Sequence, residues 1–151
     1  NDRIAAVLRD QGGELAHGYT YSGHPVCAAV ALENIRILQD ENILETCRNE
    51  TGPYLAERWQ ALGEHPLVGE ARIAGMVGAL ELVPDKGVRR FFEDRGKVGA
   101  LCRTMALKNG LILRATNDSM LLSPPLTINR TEIDELFEKA WKSLNETAEA
   151  I

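Results

Sequence analysis

The chain has 151 residues, 44% of them apolar and 26% charged, with a net charge of -5. That length holds one ordinary domain or a piece of a longer chain, and the balance is that of a folded globular protein rather than a disordered, collagen-like or coiled-coil one. The acidic balance argues against nucleic acid, which needs a basic face, and the longest uncharged run, Leu15 to Leu32, is broken by His17, Ser22, Gly23, His24 and Pro25, so it offers no membrane span of about 20 apolar residues.

The opening Asn-Asp-Arg lacks the basic-then-apolar start of a signal peptide. Cys27, Cys47 and Cys102 form an odd set without a Cys-x-x-Cys pair, so neither a disulfide framework nor a thiolate zinc site is expected, and a reducing cytoplasm is the default compartment. The chain opens inside a helical pattern (Ile4, Val7, Leu8) without an initiator methionine, and it reads as a fragment of something longer.

The first fifteen residues carry a short amphipathic helix that ends at Gly12-Gly13. A polar segment, His17 to His24, leads to Pro25, which suits the first turn of a helix because its missing N–H is not needed there. The run Val26 to Leu32 is apolar on nearly every side, so the first half of this helix calls for cover by something larger; from Glu33 it becomes amphipathic. A second helical stretch is expected from about Ile43 to Leu62, kinked or divided at Pro53. Val68 to Val83 reads as one or two strands, with Gly75 and Gly78 allowing a bulge or a close backbone approach.

Pro84-Asp85-Lys86-Gly87 is a turn, and Val98, Leu101, Cys102 and Met105 mark a helix that closes at Asn109-Gly110. Leu111 to Ala115 and Met120 to Ser123, joined by Thr116 to Ser119, form a hairpin pattern. Asn129 and Glu132 have the spacing of a capping box before an amphipathic C-terminal helix on Ile133, Leu136, Phe137, Ala140, Leu144 and Ala148. The sum is an α+β domain with helices on one face of a small, mostly antiparallel sheet.

Two places suggest anion binding. Thr20-Tyr21-Ser22-Gly23 precedes the helix opened by Pro25, where unpaired N–H groups, the helix dipole, hydroxyls and a glycine suit a phosphate; the competing reading is that Ser22 or a neighbour simply caps the helix. Arg114 interrupts an apolar strand, where an unpaired guanidinium is costly. Its same-face neighbours are Ile112 and Thr116, so its partner is either a remote acid of the protein or the carboxylate of a ligand, which the planar fork of arginine matches. Arg72 differs, since Glu70 lies two residues away on the same strand face.

His24-x-x-Cys27 has a metal-like spacing but lacks a second ligand pair, so no metal site is expected. His17 and His24 read as polar-loop groups rather than proton-transfer catalysts, and Cys47 and Cys102 as inert packing groups. Lys86, Lys97, Lys108, Lys139 and Lys142 fall in turns or on polar helix faces, so none has the apolar setting of a Schiff-base lysine. No catalytic residue is expected within the chain.

His17-Gly18-Tyr19-Thr20-Tyr21-Ser22-Gly23-His24-Pro25-Val26-Cys27-Ala28-Ala29 resembles the segment of class III pyridoxal-phosphate aminotransferases that follows the catalytic lysine region. Asn109 to Ala115 and Ser123-Pro124-Pro125-Leu126 resemble the C-terminal domain of that family, in its ω-amino acid or polyamine to pyruvate branch. The resemblance implies the C-terminal small domain of the fold-type I transferase fold, preceded by a long interdomain helix. It divides the chain into a residual large-domain segment with the phosphate loop (1–24), connecting helices (25–63) and the small α+β domain (64–151).

It further implies that Thr20 contacts the phosphate of pyridoxal phosphate in the other subunit of a homodimer, that Arg114 pairs with the substrate carboxylate, and that Tyr19 and His17 lie near the substrate pocket. The reaction implied passes an amino group from an amine, diamine or ω-amino acid to pyruvate or a similar 2-oxo acid. The family's cofactor-bearing lysine belongs to a large domain that precedes this segment, so the fragment alone is expected to be inactive. The rival expectation is a non-catalytic dimerisation domain that uses the apolar Pro25 helix.

Overall fold

The computed structural model describes residues 1–13, 17–88 and 90–151; Leu15, which opens the uncharged run and falls within the first helical pattern, lies outside them. The described residues divide into two units, Asn1–Asp40 and Glu41–Ile151.

In the first unit, α1 spans Asp2–Gln11 and is capped by Asn1, whose side chain accepts the Arg3 N–H at 3.0 Å. The helix stops at Gly12, as the glycine pair predicts. Helix α2 spans Pro25–Asp40 with proline in its first turn. Neither helix has a buried residue, and Val26, Val30, Leu32 and Ile35 of α2 are exposed. The cover that the apolar start of α2 calls for is not supplied within its own unit.

The second unit builds its own core. The expected helix from Ile43 comes in three pieces: α3 (Ile43–Thr46), a π-helical turn (Cys47–Thr51) and α4 (Gly52–Ala61). Pro53 lies in the first turn of α4, and the wider π turn, in which Gly52 N–H bonds back to Cys47 C=O, accommodates a residue that cannot donate to the regular ladder. A short 3₁₀ turn, Leu62–Glu64, leads to the sheet.

The sheet has four antiparallel strands, β1 (Val68–Ala74), β2 (Val77–Leu82), β3 (Arg114–Thr116) and β4 (Ser119–Leu122), in the order β1-β2-β4-β3. The single segment Val68 to Val83 thus resolves into a hairpin. Its turn is Gly75-Met76, with Gly75 at φ +57°, which suits a glycine-first two-residue turn. The register slips near Gly69 instead, between Val68 and Glu70. Gly78 provides the close approach: a Cβ there would come within 2.6 Å of Trp59 Nε1, and that nitrogen donates to the Arg72 carbonyl at 3.0 Å.

Helices α5 (Lys97–Lys108) and α6 (Arg130–Glu149) join α4 in covering one sheet face. Leu55 and Trp59 of α4, Cys102 and Ala106 of α5, and Ile133, Ala140 and Leu144 of α6 close over Leu80, Leu82, Met120 and Leu122. Burying such a side chain contributes about 1.5–3 kcal/mol, which is why this unit closes on itself. The capping box of α6 is formed: Asn129 Oδ1 accepts the Glu132 N–H at 3.0 Å and Glu132 Oε2 accepts the Asn129 N–H at 2.9 Å. Tyr54 donates to Asp134 Oδ1 at 2.7 Å, tying α4 to α6, and this bond holds the phenol above its ordinary pKa. The architecture is α+β, with a wholly antiparallel sheet.

Candidate functional site

Strand pairing places two arginines in one line. Arg72 pairs with Ala79, Ala79 with Leu121, and Leu121 with Arg114. Residues paired across adjacent strands share a face, so Arg72 and Arg114 stand at opposite edges of one row, about 14 Å apart for three strand spacings. The neighbouring row, Ala71, Leu80, Met120 and Ala115, faces the helices. The arginine row therefore lies on the face that the helices leave open, together with Val77 and Ile112, which is 83% exposed.

The two ends of this row differ chemically. Arg72 Nη1 lies 2.7 Å from Glu70 Oε2 and its Nη2 3.6 Å from Glu81 Oε2, while Ser119 Oγ donates to the same Glu81 oxygen at 2.5 Å. The pairing of Arg72 with Glu70 is the one that strand alternation predicts. Arg114 is exposed and has no ion pair, hydrogen bond or ring contact among the described residues. Of the two readings of Arg114, a partner acid is not found among the described residues.

The backbone that carries Arg114 is held at both ends. Leu111 and Leu113 are buried, and Leu111 N–H donates to Ala106 C=O at 2.8 Å. Beyond Thr116 the chain turns through Asn117, at φ +50°, and Asp118. Asp118 is 3% exposed and was not foreseen from spacing, because a carboxylate in a hairpin turn is ordinarily solvated. Its Oδ2 accepts the Gly96 N–H at 2.9 Å and its Oδ1 the Gly99 N–H at 3.0 Å.

In the N-terminal unit, Tyr19 to Ser22 form a turn closed from both sides. Ser22 N–H donates to Tyr19 C=O at 3.0 Å, and Tyr19 N–H donates to Ser22 Oγ at 3.1 Å. Ser22 is therefore spent on its own turn and does not cap α2. That task falls to His24, whose Nδ1 accepts the Cys27 N–H at 3.3 Å. Thr20 sits inside the turn, exposed, and its hydroxyl has no partner among the described residues. Gly23 follows at φ +72°, with nothing within 4 Å of where a Cβ would stand. The rings of His17 and Tyr19 meet edge to face, 5.5 Å between centroids, both exposed.

The structure thus brings His17, Tyr19 and Thr20 together in one exposed segment and sets Arg114 on the sheet of the other unit. Two clefts, of about 770 and 590 Å³, lie beside the loop that carries Arg90 and Phe91, and none of these four residues lines either. Cys102 is buried and its thiol is pushed up by that burial, with a weaker opposing effect from a hydrogen bond to Thr147, as befits an inert packing group. Buried Cys47 donates to Leu126 C=O at 3.1 Å. Among the described residues no helix is long and apolar enough to cross a membrane.

Comparison with known proteins gives a consistent set of matches. The family model described as "Aminotransferase class-III" matches residues 1–144. Putrescine–pyruvate aminotransferase of Pseudomonas aeruginosa is 59% identical over 150 residues, covering 99% of this chain and 32% of that protein. Diaminobutyrate–2-oxoglutarate transaminase of Halomonas elongata is 38% identical, covering 99% of this chain and 33% of its own length. Among solved structures, an omega transaminase from Pseudomonas jessenii superposes with a TM-score of 0.87 at 36% identity, covering 99% of this chain and 33% of that one. A transaminase solved with L-alanine gives 0.88 at 36% identity, covering 99% of this chain and 36% of that one. The chain spans about a third of the length of the relatives it matches.

Proposed function

This chain belongs to the class-III aminotransferase family, and on that premise we propose that it is the C-terminal portion of a pyridoxal-phosphate enzyme that passes an amino group from an aliphatic amine, a diamine or an ω-amino acid to pyruvate or a similar 2-oxo acid. The observation that carries the reading is Arg114: a guanidinium on an open sheet face, without an acid of its own among the described residues, in a row whose other arginine has two. A planar fork so placed takes the carboxylate of a 2-oxo acid through two parallel N–H···O bonds. A diamine brings no carboxylate, so Arg114 discriminates between the two substrates of one site by binding only one of them.

The residues also fit the cofactor. Thr20 offers a free hydroxyl in an exposed turn before the N-terminus of α2, and Gly23 leaves room for a phosphate beside it. Pyridoxal phosphate, when bound, supplies the electron sink that permits amino-group exchange. Thr20 would hold its phosphate in the site of a partner subunit, with Tyr19 as an aromatic wall and His17 against its edge. The lysine that carries the cofactor would lie on polypeptide outside these 151 residues, which accords with the third of its relatives' length that the chain spans. Three free cysteines suit a reducing compartment such as the cytoplasm.

Arg114→Ala in the full-length enzyme tests the reading. It is expected to raise KM for pyruvate at least tenfold, as loss of a charge-assisted hydrogen bond of about 1.5–3 kcal/mol implies, and to leave KM for putrescine within about twofold. Equal changes in both would refute the carboxylate role. Thr20→Ala, in the same enzyme, should weaken cofactor retention by about tenfold on the same grounds; unchanged retention on dialysis would remove Thr20 from the site.

A further inference from the structure

Strand β3 has only three residues, lies at the sheet edge and is paired on one side alone, by Arg114↔Leu121, Ala115↔Met120 and Thr116↔Ser119. So short a ladder does not by itself hold an edge strand, and an unpaired arginine on it would wander with its backbone. The end that leads in is fixed by Leu111 and Leu113, both buried. At the end that leads out, the hairpin tip itself is tied to α5 by the side chain of Asp118.

We propose that Asp118 is a positioning residue for the substrate-binding arginine: it bolts the hairpin tip to the rest of the domain and so sets where the Arg114 guanidinium meets a carboxylate. Three bonds make the bolt. Both carboxylate oxygens take backbone N–H groups at the start of α5, those of Gly96 and Gly99, and the Asp118 carbonyl accepts the Leu82 N–H of β2 at 2.9 Å. Gly96 holds φ +87°, which lets its N–H turn toward the carboxylate. Gly99 is needed for the contact itself, since a Cβ there would fall 2.0 Å from Asn117 C=O.

A buried charge is a poor choice where stability alone is at stake, because removing it from water costs much of what its bonds return. What an ionised carboxylate on two N–H groups supplies is a fixed direction, and the positive end of α5 favours the charge. The arrangement joins three successive elements, β2, α5 and the hairpin, at a point four residues from Arg114.

The inference rests on the carboxylate role of Arg114, and the experiment separates the two. In the full-length enzyme Asp118→Asn keeps the shape but turns one acceptor into a donor facing a backbone N–H. The probe is propionate, a carboxylate that cannot accept an amino group, read as a competitive inhibitor against pyruvate. The inhibition constant for propionate and KM for pyruvate should rise together by three- to tenfold, while KM for putrescine stays within twofold.

Leu144→Ala, which opens the core under α6, serves as a control that lowers the melting temperature without that split. If Asp118→Asn lowers the melting temperature but leaves propionate inhibition within twofold, as Leu144→Ala does, the positioning role is overturned. If Arg114→Ala also leaves propionate unaffected, the carboxylate reading falls with it; if Arg114→Ala alone weakens propionate, only the role of Asp118 falls. Should Asp118→Asn not accumulate as folded enzyme, Gly96→Ala keeps the carboxylate and strains only its donor, and is held to the same split.

Discussion

At the β1 edge of the sheet Arg72 meets Glu70 at 2.7 Å and Glu81 at 3.6 Å, and its backbone carbonyl takes the indole N–H of Trp59. At the β3 edge Arg114 stands in the same row and on the same open face, and no acid among the described residues reaches it. The first arginine is part of the protein's own charge balance; the second is left for something else. The local cause is small: two residues before Arg72 on its strand face is a glutamate, and two residues before Arg114 is an isoleucine. What differs further is the support, packing at one edge and the Asp118 anchor at the other.

The largest expected effect breaks the β3 support outright. Gly99→Ala puts a methyl group against Asn117 C=O, which the hairpin tip can relieve only by moving away; the cost is about 3 kcal/mol by analogy with overpacked cores. Thermal unfolding of the full-length enzyme checks it, and an unchanged melting temperature would show that the tip is not pinned as described. Next in size, Arg72→Ala should cost under about 1 kcal/mol, because its short partner Glu70 is largely solvated and Glu81 is the longer contact at 3.6 Å, and KM for pyruvate should not change. If Arg72→Ala raised that KM as much as Arg114→Ala does, the open face would act as a general positive field and the contrast between the edges would disappear.

The smallest effect sharpens the β1 side. Glu70→Gln should cost about 0.5 kcal/mol at low salt. That difference should shrink in 1 M salt, because both side chains are solvent-exposed and salt weakens the attraction between exposed charges. A cost unchanged by high salt would mean that the pair acts through its short hydrogen bond at 2.7 Å rather than through the exposed charges.

Much of the fold is legible in local patterns because the relevant forces are local. The capping box, the glycine that ends α1 and the alternation that pairs Arg72 with Glu70 each involve residues within a few positions of one another. Alternation also runs on through Leu111, Ile112 and Leu113, 9%, 83% and 4% exposed, although ladder pairing begins only at Arg114. The patterns are less informative where one local partner substitutes for another. Ser22 and His24 both suit a cap, and only the turn that consumes the Ser22 hydroxyl leaves the task to His24.

Sequence alone, then, determined most of the kinds of element, their order, an arginine without an acid on its own strand face and the resemblance to the family. Tertiary structure decided which strands are neighbours, and hence that β2 and β4 bring two arginines about 40 positions apart into one row. It likewise decided that Gly78 makes room for Trp59 and that Asp118 reaches two amides at the start of α5. Such contacts depend on the register between segments distant in the chain, and register is chosen by burial of the whole core, so no short stretch of residues carries its mark.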